Sequence, residues 1–207
     1  CLPCHDQVIR GKEVETTFTE WNRVPGFGMG GGNSCQSCHM PESNDGYHDH
    51  TFAGVDINFD DPFNQDLLDA NQMLLETALY MEFGDLSDID ISELDIGHTL
   101  EIPIEIESFT GHRFPSGTSF TREAWLELIV SNEGDILFSS GVINNSLERL
   151  DIDDENLLLF TTWLLDENGD TTYKAGNTHD FIDRSLPALE NRHHTYYFII
   201  ESQLPEI

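Results

Sequence analysis

The clearest pattern along the chain is a change of period. In "DPFNQDLLDANQMLLETALYMEF" (61 to 83), Phe63, Leu67, Ala70, Leu74, Ala78 and Met81 recur at helical spacing and form one apolar stripe. With Asp61 as N-cap and Pro62 at the first helical position, the segment reads as one helix of about five to six turns. An acidic linker, "GDLSDIDISELDIG" (84 to 97), follows. Beyond it the period becomes two: in "HTLEIPIEIES" (98 to 108), Leu100, Ile102, Ile104 and Ile106 alternate with polar residues or proline, as in a half-buried strand. Further strands are predicted in "AWLELIVS" (124 to 131), "ILFSSGVI" (136 to 143), "LLLFTTWLLD" (157 to 166) and "TYYFIIES" (195 to 202), with "NEGD" and "DENGD" as turns. About five to seven strands at this spacing suggest an antiparallel sandwich. The fold class is therefore α+β: a loop-rich segment with one long helix over residues 1–97, then an antiparallel β-sandwich over residues 98–207.

Residues 1 to 61 show almost no periodicity. They are rich in Gly, Asn, Asp and His, and they hold all four cysteines. Such a segment stays disordered unless something other than a side-chain core organises it. Its run "GFGMGGGNS" (26 to 34) lacks the strand before and the helix after that a phosphate loop needs, so a flexible or tightly packed turn is expected.

Charge narrows the range of partners. The chain carries 39 Asp plus Glu against 9 Lys plus Arg, a formal net charge of -30, and Lys12 and Lys174 are its lysines. Nucleic acid and anionic membranes would repel it, whereas cationic partners or divalent ions suit it. Such charge also favours the oxidised state of any redox centre within about one screening length, roughly 8 Å at physiological salt. No run of 18 or more apolar residues and no signal-peptide pattern is present, so no transmembrane segment is expected. The first residue already belongs to a motif, which suggests a processed or incomplete piece of a longer precursor. A lipidated Cys1 competes with that reading.

The motif is Cys1-Leu2-Pro3-Cys4-His5, and it returns as Cys35-Gln36-Ser37-Cys38-His39. In CxxCH the two thiols add to the two vinyl groups of a haem, and the adjacent histidine is held beneath the iron as proximal ligand. Three other readings compete: a Cys4 zinc site, disulfides in one of three connectivities, and a thioredoxin-like pair. Zinc and disulfides leave both histidines unexplained, and the βαβ context of a thioredoxin is missing. Haem c at Cys1, Cys4, Cys35 and Cys38, with His5 and His39 on the irons, is the favoured reading. Two flat apolar macrocycles would then replace the missing core of the first segment.

Low-spin electron-transfer haems take a second axial ligand, usually His or Met. His48 and His50 lie two apart in a coreless loop, so their side chains point to opposite sides of an extended backbone. His112, in "TGHRFPSG", sits in a turn stiffened by Gly111, Pro115 and Gly117. The remaining histidines, His98, His179, His193 and His194, outnumber the vacancies: His193 and His194 beside a late strand read as solvated or cation-site residues, His179 as unremarkable, and Met73 and Met81 as core residues that could also serve an iron.

The blocks "FTEW" (18 to 21), "CQSCHMP" (35 to 41), "HDHTFAG" (48 to 54), "GHRFPSG" (111 to 117), "REAWLELIV" (122 to 130) and "GDILFSSG" (134 to 141) carry a resemblance. In order and spacing, residues 18 to 142 resemble the C-terminal half of multihaem c-type cytochromes related to the cytochrome c554 group. The resemblance implies bis-His haems that relay electrons, with a β-sandwich after the last haem motif. It makes His112 and His50 the distal ligands and offers polymerisation into an extracellular filament as an extension. The chain departs from larger members in having two CxxCH motifs. Either it is a diheme version, or further haems lie upstream and His48 serves one of them.

The leading functional reading is a secreted, periplasmic or extracellular electron carrier. Its partners would be redox proteins or extracellular electron acceptors, or copies of itself. The rival is a multihaem oxidoreductase whose open haem acts on a small nitrogen or sulfur compound. A third reading has the acidic runs "DIDDEN" (151 to 156) and "DENGD" (166 to 170) bind calcium or a neighbouring subunit. Neither run has the spaced ligands of an EF-hand loop, so solvated turns are the default.

Overall fold

A computed structural model describes residues 1–2, 5–40, 42, 45–48, 52–54, 60–61, 63–87, 96–132, 134–144 and 148–201. The chain opens on a hairpin, β1 (Gln7–Ile9) and β2 (Lys12–Glu15). Its two-residue turn, Arg10-Gly11, has positive φ at both positions (51° and 77°), the backbone that matches strand twist and that glycine tolerates. Two short helices follow, α1 (Thr17–Arg23) and α2 (Cys35–His39), so the first segment holds more local structure than its lack of periodicity implies.

The long helix is shorter than its apolar stripe. α3 spans Gln65–Ala78, and Asn64 rather than Asp61 caps it, accepting a hydrogen bond from Leu67 N at 3.0 Å. Pro62 lies outside the described residues. At Leu79 the backbone turns extended, and Leu79–Phe83 forms strand β3. This departs from the predicted helix over 62–83. The apolar positions continue with helical spacing through Met81, but "LYMEF" also has strand-forming residues, and pairing with the next strand satisfies its backbone.

That next strand, β4 (Thr99–Ser108), follows the predicted alternation: Ile102, Ile104, Ile106 and Ser108 are buried while Glu101, Glu105 and Glu107 face out. β4 lies between β3 and β12 (Asn191–Ile199), antiparallel to both. Pro103 is tolerated in this central strand because its missing N–H faces the end of β3, where its carbonyl accepts from Gly84 N at 2.8 Å. The remaining strands are β5 (Ala124–Trp125), β6 (Leu128–Asn132), β7 (Asp135–Ser140), β8 (Leu159–Phe160), β9 (Thr162–Leu165), β10 (Thr171–Thr172) and β11 (Asp180–Asp183). Among the described residues they pair antiparallel in small sheets, β10-β9-β11, β5-β8 and β6-β7. The result is an α+β fold with few helices and many antiparallel strands.

One core joins the β3-β4-β12, β5-β8 and β6-β7 sheets. Ile102, Ile104 and Ile106 from β4 and Tyr196 and Phe198 from β12 pack with Leu128, Leu158, Phe160, Leu186 and Ile200. Phe160 is almost wholly buried and also lies beneath the Arg192 guanidinium, 5.5 Å from its ring centre. Phe160→Ala is expected to cost about 3–5 kcal/mol, through lost burial and the cavity left behind. It should appear as a lower denaturant midpoint at unchanged slope.

The first half builds no such core. Among described residues up to Leu100, the buried apolar side chains are Val14 and Met40. Phe63 and Met29 are 87% and 83% exposed, and α3 buries Asn71 rather than its apolar stripe.

Candidate functional site

The second CxxCH lies on α2. Ser34 and Ser37 form a reciprocal capping box there: Ser34 Oγ accepts from Ser37 N at 3.1 Å, and Ser37 Oγ accepts from Ser34 N at 2.9 Å. One helical turn puts positions i, i+3 and i+4 on the same face, so Cys35, Cys38 and His39 are presented together. The first motif has the same local bond, His5 N to Cys1 O at 2.9 Å; Cys4 lies outside the described residues. Cys1, Cys35 and Cys38 carry free thiols and are exposed or half-buried.

Four histidines of the first segment and its neighbouring loop share one arrangement, with Nδ1 engaged by an acceptor and no hydrogen bond to Nε2 among the described residues. His5 Nδ1 is 3.2 Å from Glu15 Oε1, and His39 Nδ1 is 2.5 Å from the Ala53 carbonyl. His48 Nδ1 bonds the Met40 carbonyl, and His112 Nδ1 is 3.0 Å from the Arg113 carbonyl. An acceptor on Nδ1 fixes the tautomer in which Nε2 carries the free lone pair, the form that ligates a metal. Burial holds His39 below the ordinary histidine pKa and nearby His112 adds to this, against the pull of the Ala53 carbonyl. Its neutral, ligating form is thereby favoured.

His39 and His112 face the same region. Their ring centres are 6.1 Å apart and their planes are tilted by 22°. Two imidazoles on opposite sides of one metal, each bonded at about 2 Å, have ring centres about 6 Å apart, and the spacing of this pair matches that value. Phe52 also stacks on His39, with centres 4.4 Å apart and planes within 10°, and lies 6.4 Å from His5 at 12°. Phe52 takes a positive φ of 43°, held by bonds on its C-terminal side: Ala53 N donates to His39 O at 3.1 Å, and Gly54 N donates to the buried Asn71 Oδ1 at 2.6 Å. α3 thus contributes an amide that pins the loop orienting His39.

The His112 loop is clamped to α1. Glu20 Oε2 accepts from Arg113 N at 3.0 Å and from Ser116 Oγ at 3.2 Å, and Thr17 Oγ1 accepts from Gly117 N at 2.9 Å. Arg113 Nε lies 2.7 Å from Glu20 Oε1, close for an ion pair yet too bent for a hydrogen bond, and its Nη1 reaches Asp183. Gly111 is required beside His112: a Cβ there would come within 2.5 Å of the Phe27 ring. The glycine run is packed as well, since a Cβ on Gly31 would meet the Gly26 carbonyl at 2.4 Å.

Of the sequence-predicted residues, the structure brings together His39 and His112, with His5 beyond Phe52. His50, the other distal candidate, lies outside the described residues. His193 is exposed beside Glu105 at 3.3 Å, His179 Nε2 is taken by Arg10 at 2.5 Å, and His194 packs edge-on to Tyr196. Met81 is on β3 and Met73 is exposed on α3. In the acidic runs carboxylates are engaged within the protein: Asp154 accepts from Asn156 N at 2.8 Å in its own turn and from Ser140 Oγ of β7 at 2.6 Å, and Asp166 accepts from Asn168 N at 2.8 Å. Among the described residues no three His, Cys, Asp or Glu side chains converge as a metal site, and no helix is long and apolar enough to cross a membrane. Glu15, Phe52 and Asn71 were not singled out by sequence reasoning; Phe52, inside "HDHTFAG", had a signal in its position beside the histidines.

The fold is similar to that of a solved multihaem cytochrome. A penta-heme cytochrome c552 from Thermochromatium tepidum superposes with a TM-score of 0.60 at 22% sequence identity. The match covers 97% of this chain and 44% of that one, so this chain spans under half of that protein's length. No protein-family model matches the chain, and no curated protein matches it.

Proposed function

We propose that this chain is an electron-transfer protein that holds two haem c groups, one on Cys1, Cys4 and His5 and one on Cys35, Cys38 and His39. The observation that carries the reading is the His39–His112 pair, with ring centres 6.1 Å apart and each Nδ1 occupied by a backbone carbonyl, beside a helix that presents two thiols. The exposed apolar side chains of the first half are a second support, because a macrocycle would cover what the polypeptide leaves open. The fold shared with a penta-heme cytochrome is a third.

Haem iron, when bound, takes up and returns one electron. The chain's own residues would do the rest: the thiols would anchor the haems, His5 and His39 would hold the irons beside their CxxC pairs, and His112 would be a further ligand to the iron held by His39. His50 or His48 is the corresponding ligand for the first iron or a neighbouring one. Were each iron held by two imidazoles, no position would be left for a substrate, and the pairing of His39 with His112 favours this reading over the small-molecule reductase. Residues 1–97 then act as the haem-carrying part and residues 98–207 as the β-sandwich that supplies His112.

The chain is placed in the periplasm or outside the cell, where c-type haems are attached and cysteines oxidised. Its net charge of -30 suits redox partners with a basic face. Assembly into a filament of like copies would need that charge neutralised at each contact.

Intact mass of the protein, produced alongside a haem-attachment system, is expected to exceed the polypeptide by two haems. Reduction should bring up the sharp visible bands of low-spin c-type haem. A mass equal to the bare polypeptide would overturn the proposal.

A further inference from the structure

We infer that Glu15 sets the order in which the two haems are reduced, making the one held by Cys1, Cys4 and His5 the harder to reduce. This rests on the proposed haem-binding function. The two proximal histidines differ in what their Nδ1 meets. His39 bonds a neutral carbonyl, Ala53 O, at 2.5 Å. His5 bonds a carboxylate, Glu15 Oε1, at 3.2 Å, and that side chain is only 9% exposed.

The hairpin is built to present this carboxylate. β1 and β2 pair Val8 with Glu13 and Gln7 with Glu15, leaving Val14 as an extra residue on β2. Such a bulge re-aims the side chains beside it. Glu13 is exposed, Val14 is buried, and Glu15 is turned toward His5. β2 thus carries two glutamates of the same chemistry, one against the imidazole and one in solvent.

A carboxylate accepting from Nδ1 draws the shared proton toward itself and makes Nε2 a stronger donor than a carbonyl partner does. Stronger donation stabilises the ferric iron, and a negative charge poorly screened from it acts in the same direction. Exposed carboxylates, however many, are screened by water and act weakly on both centres. Each step remains a one-electron exchange with an external redox protein: iron passes between ferric and ferrous, and no other bond forms or breaks. An electron entering the pair therefore rests on the His39 side, next to His112, and leaves from there.

Spectroelectrochemical titration of the haem-loaded protein tests this. The unmodified protein should titrate in two one-electron steps. Glu15→Gln should move the lower step upward and leave the upper step in place, while Glu13→Gln should leave both unchanged. Equal movement of both steps, or a lower step indifferent to Glu15→Gln, overturns the inference. Should Glu15→Gln fail to fold, proton NMR of the partly reduced, unmodified protein decides: the haem with contacts to the 7–15 hairpin must be the last to be reduced, and the opposite order refutes the assignment. A bare-polypeptide mass would refute the function itself, whereas a haem-replete protein with an unresponsive lower step refutes only the role of Glu15.

Discussion

His112→Ala is expected to turn one of the two haems from low-spin to high-spin and to let it bind carbon monoxide, which the unmodified protein should not do. The residue would leave an iron with a proximal ligand, His39, and an open position opposite it. The loop should survive the loss, because its backbone is held from outside the ring: Glu20 accepts from Arg113 N, and Thr17 accepts from Gly117 N. What disappears is one bond between His112 Nδ1 and the Arg113 carbonyl, worth about 1 kcal/mol. Carbon monoxide difference spectra, calibrated against total haem, should show half of the haem reacting. An unaltered low-spin spectrum would mean that another side chain, with His48 or His50 foremost, occupies that position.

The second large effect concerns folding without haem. In chain produced where haem is not attached, amide hydrogen exchange of residues 5 to 40 should approach the rate of an unfolded peptide, while β4 and β12 stay protected. Fixing a residue's backbone costs about 1–2 kcal/mol. Against that, the described first half offers two buried apolar side chains, Val14 and Met40, and hydrogen bonds each worth about 1 kcal/mol net. The balance is unfavourable by a wide margin. The β-rich half has Ile102, Ile104, Ile106, Phe160, Tyr196 and Phe198 in one cluster and needs nothing added. Strand β3 should follow β4, since its pairing from Leu79 with Ser108 to Phe83 with Ile104 belongs to that sheet. Equal protection across the chain would show that the polypeptide organises its own first half.

How legible this was from the sequence depended on how local the physics is. The alternation of β4 was readable because each isoleucine answers to one buried face, and CxxCH was readable because its chemistry is complete within five residues. The end of α3 was not: the spacing of Ala78 and Met81 satisfies a helix, and only β4 lying alongside makes Leu79 extend. β10 and β11, "TT" and "DFID", carry no pattern of their own and exist as partners of β9. The partners on Nδ1 were beyond reach for the same reason. Two of them, Met40 and Ala53, act through backbone carbonyls, which any residue type supplies, so position in space rather than identity makes them part of the site.

The seam between α1 and the His112 loop is held by polar contacts: Glu20, Arg113, Ser116, Thr17 and Gly117 meet there through directional bonds. Contacts of this kind hold weakly but discriminate sharply, because a small displacement breaks several at once. Adhesion between the two halves would then come from the macrocycles, which attract from many directions and choose among them poorly. Glu20 supplies what they lack, acting as the alignment key that decides where a strongly held but indifferent surface comes to rest.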